Sequence, residues 1–267
     1  MRKLLDVMCP EEPRLAVQPP QVECPRWCAV TGGALAGRSL FLNPDAQAYQ
    51  TSMLDGTFDK FLFDYIDRND WRGKVIFDVG AHIGYHTLNF AVRVGASGQV
   101  FAFEPHPSHL ERIEINLKRN PDLKARINLI PLAASNGQGR LKFFCAESIE
   151  AGGSSASFVE GSSTPFPKSF YADYSAIEVE TARLDDLIAS RKCLPPDLLK
   201  IDVEGAESLV IEGALETIRK HHPRIVMEVH SLPNMLRVTT LLLPLGYSFT
   251  LLEDEDRRCF IAIEPAS

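Results

Sequence analysis

The sequence predicts an α/β chain with a Rossmann-like, seven-stranded, mostly parallel sheet, a C-terminal antiparallel hairpin and helices on both faces. Three observations predict it. From Lys74 onward, short apolar runs alternate with helical stretches, the rhythm of a parallel sheet covered by helices. The first run ends in a glycine turn, Asp78-Val79-Gly80-Ala81-His82-Ile83-Gly84, that opens a helix. The last two runs, Tyr247 to Leu252 and Cys259 to Ile263, are joined by the charged turn Glu253 to Arg258 and read as a hairpin.

Taken in order, residues 1 to about 30 are proline-rich and read as an extended lead-in. Between Asp45 and Asn69, Tyr49, Met53, Phe58, Phe61, Leu62, Tyr65 and Ile66 recur at helical spacing around Asp55-Gly56, which predicts two short helices with a bend. Strands are expected at Lys74–Val79, Gln99–Phe103 and Ile127–Ala134, with helices at Tyr85–Val94 and Pro107–Asn120. The rhythm then breaks: Leu141–Cys145 and Ile177–Thr181 read as strands around a Gly-, Ser- and Pro-rich stretch from Gly152 to Lys168. That stretch reads as a substrate lid or as a plain excursion. The parallel pattern resumes with strand Leu198–Val203, helix Ala206–His221, strand Arg224–Val229 and helix Asn234–Leu243. The expected organisation is a lead-in over 1–44, a helical cap over 45–70 and a main domain over 71–267 carrying an insertion over 140–182.

A chain of 267 residues with 45% hydrophobic content can bury one substantial core and is short for two ordinary domains. Its net charge of −7 offers no electrostatic footprint for nucleic acid or an anionic membrane, so a small-molecule or glycan acceptor is favoured over a polyanion. Cysteines 9, 24, 28, 145, 193 and 259 are too scattered for a disulfide framework, and free thiols in a reducing cytoplasm are expected. No run approaches the roughly 18 apolar residues of a membrane span. A homodimer is the assembly kept open.

The glycine turn carries the first chemistry. Gly80 and Gly84 let the backbone approach a ligand and aim free helix N-terminal amides at it, but the third glycine of the dinucleotide fingerprint is absent. Asp78 places negative charge where a pyrophosphate would be repelled and the ammonium and sulfonium of S-adenosylmethionine would be favoured. Glu104, 20 residues after Gly84, ends the second strand and can accept both ribose hydroxyls of an adenosine, with Pro105 shaping the adenine edge. His82 and Tyr85 are candidate pocket residues, each also explained as a helix-start position.

The run Val75 to Tyr85, the pair Glu104-Pro105 and the run Lys200-Ile201-Asp202-Val203-Glu204-Gly205-Ala206-Glu207 resemble the FkbM family of S-adenosylmethionine-dependent methyltransferases, over about Tyr49 to His230. The resemblance implies a class I methyltransferase fold, S-adenosyl-L-methionine as cofactor and O-methylation of a hydroxyl on a sugar, glycolipid or natural-product acceptor. Where the family often has Asn, this chain has His82.

Independently of the family, Asp202, Glu204 and Glu207 cluster after the fourth strand, at the edge where open parallel sheets bind ligands. Glu228 and His230 rise at the same edge. Methyl transfer to an alcohol requires alignment and removal of the hydroxyl proton. His230 is therefore read as general base, Asp202 as the group placing acceptor or sulfonium, and Glu204 or Glu228 as an orienting partner. Asp202, Glu228 and His230 could instead hold a divalent ion, a reading ranked below the metal-free base. Glu207 reads as a first-turn acid favoured by the helix dipole, and Asp185-Asp186 as a helix start. The competing functions are a nicotinamide-dependent oxidoreductase, opposed by Asp78 and the missing glycine, and a non-catalytic cofactor-binding protein.

Overall fold

The computed structural model describes residues 24–45, 47–146, 156–163, 174–252 and 259–266. Part of the expected lead-in is folded. β1 (Arg26–Ala29) pairs antiparallel with β2 (Ser39–Leu42), whereas residues 1–23 lie outside the described set. The cap follows as α1 (Tyr49–Asp55) and α2 (Lys60–Ile66), and Gly56 ends α1 in the left-handed conformation, as the Asp55-Gly56 bend required.

The main domain runs through β3 (Val75–Val79), α3 (Tyr85–Arg93), β4 (Gln99–Phe103), α4 (Pro107–Arg119), the short α5 (Pro121–Lys124) and β5 (Ile127–Ile130). β5 is shorter than the sequence suggests. Pro131 has no amide to continue the ladder, so the chain turns and β6 (Ala133–Ala134) joins a second sheet. That sheet is built with β7 (Gly139–Cys145), β8 (Phe158–Val159) and β9 (Ser175–Ala182) in the order β6-β9-β7-β8. Of the expected lid, Gly152 to Lys168, residues 152–155 and 164–168 lie outside the described residues.

After α6 (Leu184–Ala189) and β10 (Leu198–Ile201), the expected single helix divides into α7 (Glu207–Glu212) and α8 (Leu215–His221). The break falls at Gly213, where a Cβ would stand 2.0 Å from the Ser135 carbonyl oxygen, so the helix yields to a passing backbone. β11 (Arg224–Glu228), α9 (Leu232–Leu242), β12 (Tyr247–Leu252) and β13 (Phe260–Pro265) complete the chain, with the charged turn at 253–258 outside the described residues.

The large sheet has seven strands in the order β5-β4-β3-β10-β11-β13-β12, and β13 runs antiparallel to both neighbours. Both faces are buried, as a parallel sheet demands. Along β3 and β4, Ile76, Val100 and Ala102 pack towards Leu88, Phe90 and the cap residues Met53, Leu62 and Ile66, while Phe77, Val79, Phe101 and Phe103 pack towards Ile211, Ile218 and Val238. The β1–β2 hairpin docks on α4 and α5: Arg38 clasps Asp122 of α5 through two 2.8 Å hydrogen bonds and the Arg112 guanidinium of α4 lies over Phe41. No described helix is long and apolar enough to cross a membrane.

Candidate active site

From β3 the chain crosses to β4 on one side and later returns to β10 on the other, so the sheet reverses direction between β3 and β10, where open α/β sheets bind ligands. Gly80 ends β3 with φ +82°, and a Cβ there would sit 1.8 Å from the Asp202 carbonyl oxygen. Only glycine allows the two strand ends to approach this closely. Gly84 has φ +87° at the start of α3 and packs against Ile113. It belongs to helix packing and does not border the cavity.

Beneath this point lies a charge cluster. Lys200 is 1% exposed; its Nζ donates to the Gly80 carbonyl (2.9 Å) and stands 3.2 Å from Asp78 Oδ1 and 3.4 Å from Asp202 Oδ2. Burial works against the charged lysine, but Asp78 and Asp202 outweigh it and hold its pKa above the usual value. Asp78 also accepts from Thr87 Oγ1 at 2.6 Å and does not border the cavity. This corrects the expected role of Asp78. Its charge is neutralised inside the sheet, so it ties β3, β10 and α3 together and does not face a ligand sulfonium.

Above the cluster opens a cavity of about 610 Å3. Gly80, His82, Tyr85, Glu104, Pro105 and Asp202 border it, as expected of cofactor residues. Glu104 accepts from the His82 amide (2.8 Å) and the His106 amide (2.8 Å) and meets His109 Nδ1 at 3.2 Å. Burial raises its pKa. A carboxylate has about four acceptor directions, so this clamp fixes the group and leaves capacity for a hydroxyl. His82 takes the left-handed conformation, φ +51°, which Asn, Asp and His adopt more readily than other side-chain-bearing residues. The same site therefore suits Asn or His. Desolvation pushes its imidazole pKa down to about 3, so it is neutral beside the edge-on ring of His109, 4.4 Å away.

The opposite wall carries the acidic cluster. Asp202, Glu204, Glu228 and His230 all border the cavity. His230 Nε2 lies 3.4 Å from Glu204 Oε2, 3.7 Å from Glu228 Oε1 and 3.8 Å from Asp202 Oδ1. Its Nδ1 is 2.7 Å from Glu207 Oε1, which also accepts from the Gly205 amide. Glu207 is wholly buried, so reading it as a helix-dipole acid alone understates it; it anchors the histidine. Burial pulls the His230 pKa down, but the Glu207 hydrogen bond and the charges of Glu204 and Asp202 outweigh it and raise the pKa to about 10. These partners favour the protonated imidazole in the cation-free protein, which weighs against the expected role of general base. Burial, reinforced by Asp202, Glu228 and Glu207 against His230, lifts Glu204 to about 8.

Sequence reasoning passed over three supports. Lys200 is a lysine in the apolar strand Leu198–Ile201, a signal in itself, because buried lysines need partners. Asn234 of α9 gives a 2.7 Å hydrogen bond to the Gly205 carbonyl and accepts from the Ser208 amide, clamping the turn that bears Glu204. Asp59 meets His86 Nε2 at 2.8 Å, pinning the cap to α3. Tyr49, Met53 and Phe58 of the cap segment also line the cavity, so packing and pocket lining coincide there. Asp185 accepts from Thr217 N and Oγ1 and is structural, as its helix-start reading implied.

The strand order with its reversed strand, the glycine at the switch point and the acidic residue ending the second strand define a Rossmann-like fold of the class I methyltransferases. The family model described as Methyltransferase FkbM domain matches residues 78–249, and the chain belongs to this family. Among curated relatives, it is 30% identical over 170 residues to the hexuronic acid methyltransferase AglP of Haloferax volcanii, covering 63% of this chain and 61% of that protein. It is 32% identical over 152 residues to the 2-O-methyltransferase NoeI of Sinorhizobium fredii, covering 55% and 59%. To the 31-O-demethyl-FK506 methyltransferase FkbM of Streptomyces tacrolimicus it is 29% identical over 203 residues, covering 69% and 75%. The matched region thus spans about three fifths of the first two relatives' length. In fold it is similar to the crystal structure of methyltransferase FkbM from Methylobacillus flagellatus, with a TM-score of 0.51, 17% identity and coverage of 82% and 58%.

Proposed function

We propose that the protein is an S-adenosylmethionine-dependent O-methyltransferase acting on a hydroxyl of a sugar, glycolipid or related natural product. One observation carries the reading. The clamped carboxylate of Glu104 and the acidic cluster around His230 border one cavity of about 610 Å3, within the ~300–1,000 Å3 of small-molecule sites. A cofactor site and a proton-handling site therefore meet in a single space. The names of the relatives, a hexuronic acid methyltransferase and a 2-O-methyltransferase among them, support a hydroxylated acceptor.

The cavity fits the cofactor. Glu104 can take a ribose hydroxyl, Pro105 and His82 border the cavity beside it, and no side chain caps the start of α3. When bound, S-adenosylmethionine supplies an electrophilic methyl on a sulfonium. The chain's own residues must align the acceptor and take its proton. In the cation-free protein the protonated His230 donates towards the acceptor oxygen, and the carboxylate of Asp202 or Glu228 receives the proton. Asp202, between Lys200 and His230, is the placing group.

The test is release of S-adenosylhomocysteine against a panel of glycans and polyketide alcohols. Turnover on a hydroxylated acceptor that falls at least 100-fold in Asp202→Asn supports the reading. Turnover confined to amine or carbon acceptors contradicts it.

A further inference from the structure

We propose that Asp202, Glu228 and His230 form a site for one divalent cation of the Mg2+ or Mn2+ kind, with Glu207 as the positioning residue that holds the imidazole. The proposal draws its chemistry from the methyl-transfer reading, but the site stands on its own geometry.

One ligand atom from each of the three residues lies within 4.8 Å of the other two. The spacings from His230 Nε2, 3.7 Å to Glu228 Oε1 and 3.8 Å to Asp202 Oδ1, are too long for hydrogen bonds. A cationic imidazole facing a carboxylate as a simple ion pair would close to about 2.7–2.9 Å. Ligands that share one ion at roughly 2.0–2.2 Å instead stand about 3–4 Å apart, so the gap has the dimensions of a coordination sphere.

The second observation concerns how the histidine is held. Its side chain is 8% exposed, and Nε2 points into the cluster, where its nearest oxygen, Glu204 Oε2 at 3.4 Å, lies beyond the distance of a charge-assisted hydrogen bond. Its other nitrogen is fixed by Glu207 Oε1 at 2.7 Å, and Glu207 is itself wholly buried and bonded to the Gly205 amide. A carboxylate behind a histidine that points its far nitrogen at further carboxylates is the arrangement that orients metal-ligating imidazoles, and a cation bound at Nε2 displaces the proton held there in the cation-free protein. Lys200 lies on the Oδ2 side of Asp202, so Oδ1 faces the cluster. Two carboxylates to one imidazole, with no thiolate, suit a hard or borderline cation such as Mn2+ or Mg2+.

A cation here lowers the pKa of an acceptor hydroxyl in the cavity. The hydroxyl loses its proton to water in the cavity, its oxygen pair forms the new bond to the methyl carbon, and the carbon–sulfur pair leaves with the sulfur as a neutral thioether.

The experiment is a titration of the whole protein with MnCl2 followed by electron paramagnetic resonance, without cofactor, alongside turnover after dialysis against EDTA. One bound Mn2+ per chain is expected, weakened at least 10-fold in His230→Ala and Glu228→Gln, and about 10–100-fold in Glu207→Gln. S-adenosylhomocysteine binding reports that each variant is folded, and Glu228→Gln, the most exposed of the three, keeps the test open if the others are not. Turnover lost in EDTA and restored by Mg2+ or Mn2+ supports the site. Protein that binds S-adenosylhomocysteine but no Mn2+, or turns over equally in EDTA, overturns it and leaves methyl transfer standing. Bound Mn2+ in protein that transfers no methyl group supports the site and counts against the methyl-transfer reading.

Discussion

Replacing Lys200 by Met removes the buried cation beneath the glycine turn while keeping the length of the side chain. The cost falls on Asp78, not on Asp202: the Asp78 side chain is fully buried, whereas Asp202 is 19% exposed and can recruit water. Asp78 would keep only the 2.6 Å hydrogen bond from Thr87, and the Gly80 carbonyl would lose its 2.9 Å donor. Breaking a buried pair by removing one partner costs about 3–5 kcal/mol, because a charge is stranded. For a domain stable by roughly 5–15 kcal/mol this is a large share. The double variant Asp78→Asn/Lys200→Met strands no charge at position 78 and is expected to recover at least half of the loss. Urea unfolding of parent, both single variants and the double variant, followed by circular dichroism, gives the coupling directly. Lys200→Met within 1 kcal/mol of the parent, or a double variant as unstable as the sum of the singles, would refute the assignment of this cluster as the tie between β3 and β10.

Gly80→Ala is expected to abolish cofactor binding and destabilise the fold by several kcal/mol, because its methyl would stand 1.8 Å from the Asp202 carbonyl oxygen at φ +82°; thermal melts and calorimetry check both. Glu104→Gln should weaken S-adenosylmethionine binding about 10–100-fold through loss of charge-assisted hydrogen bonds, with little change in the circular dichroism spectrum. His82 gives a pH signature. Its folded pKa, about 3, lies below the ordinary 6.5, so the unfolded chain binds the extra proton between these values and stability falls as pH drops through that window. At 1.36 kcal/mol per unit, this residue accounts for up to about 2 kcal/mol of loss by pH 5. His82→Asn, which tolerates the same backbone, should unfold at lower pH than the parent, and an unchanged acid midpoint would contradict the assignment. Cys193 is buried with its thiol pKa pushed up to about 11 by desolvation, so it should resist alkylation at pH 8 while the exposed Cys24 and Cys259 react, as peptide mass spectrometry would report.

The alternation of apolar strands with helical stretches was enough to place β3, β4, β10, β11 and the β12–β13 hairpin, because each is an apolar run bounded by turn residues. Where local pattern misled, a tertiary contact or a missing amide decided the outcome: Pro131 ended β5, and the Ser135 carbonyl broke the helix at Gly213. The β1–β2 hairpin was invisible because its partners lie on α4 and α5, far along the chain. At the cavity, Gly80 and Glu104 were legible as lining positions because they obey a fixed strand–turn–helix geometry, whereas Gly84 packs against Ile113. The roles of Asp78, Glu207 and His230 were not, since charge and proton state depend on which side chain lies within 4 Å. Lys200 reverses the meaning of Asp78, and Glu207 reverses that of His230.

Calorimetric titration of the protein with S-adenosylmethionine, S-adenosylhomocysteine and NAD tests the central claim most directly. The cavity walled by Gly80, His82 and Glu104 predicts one site per chain for each of the first two ligands and none for NAD. NAD binding without S-adenosylmethionine binding would contradict the account.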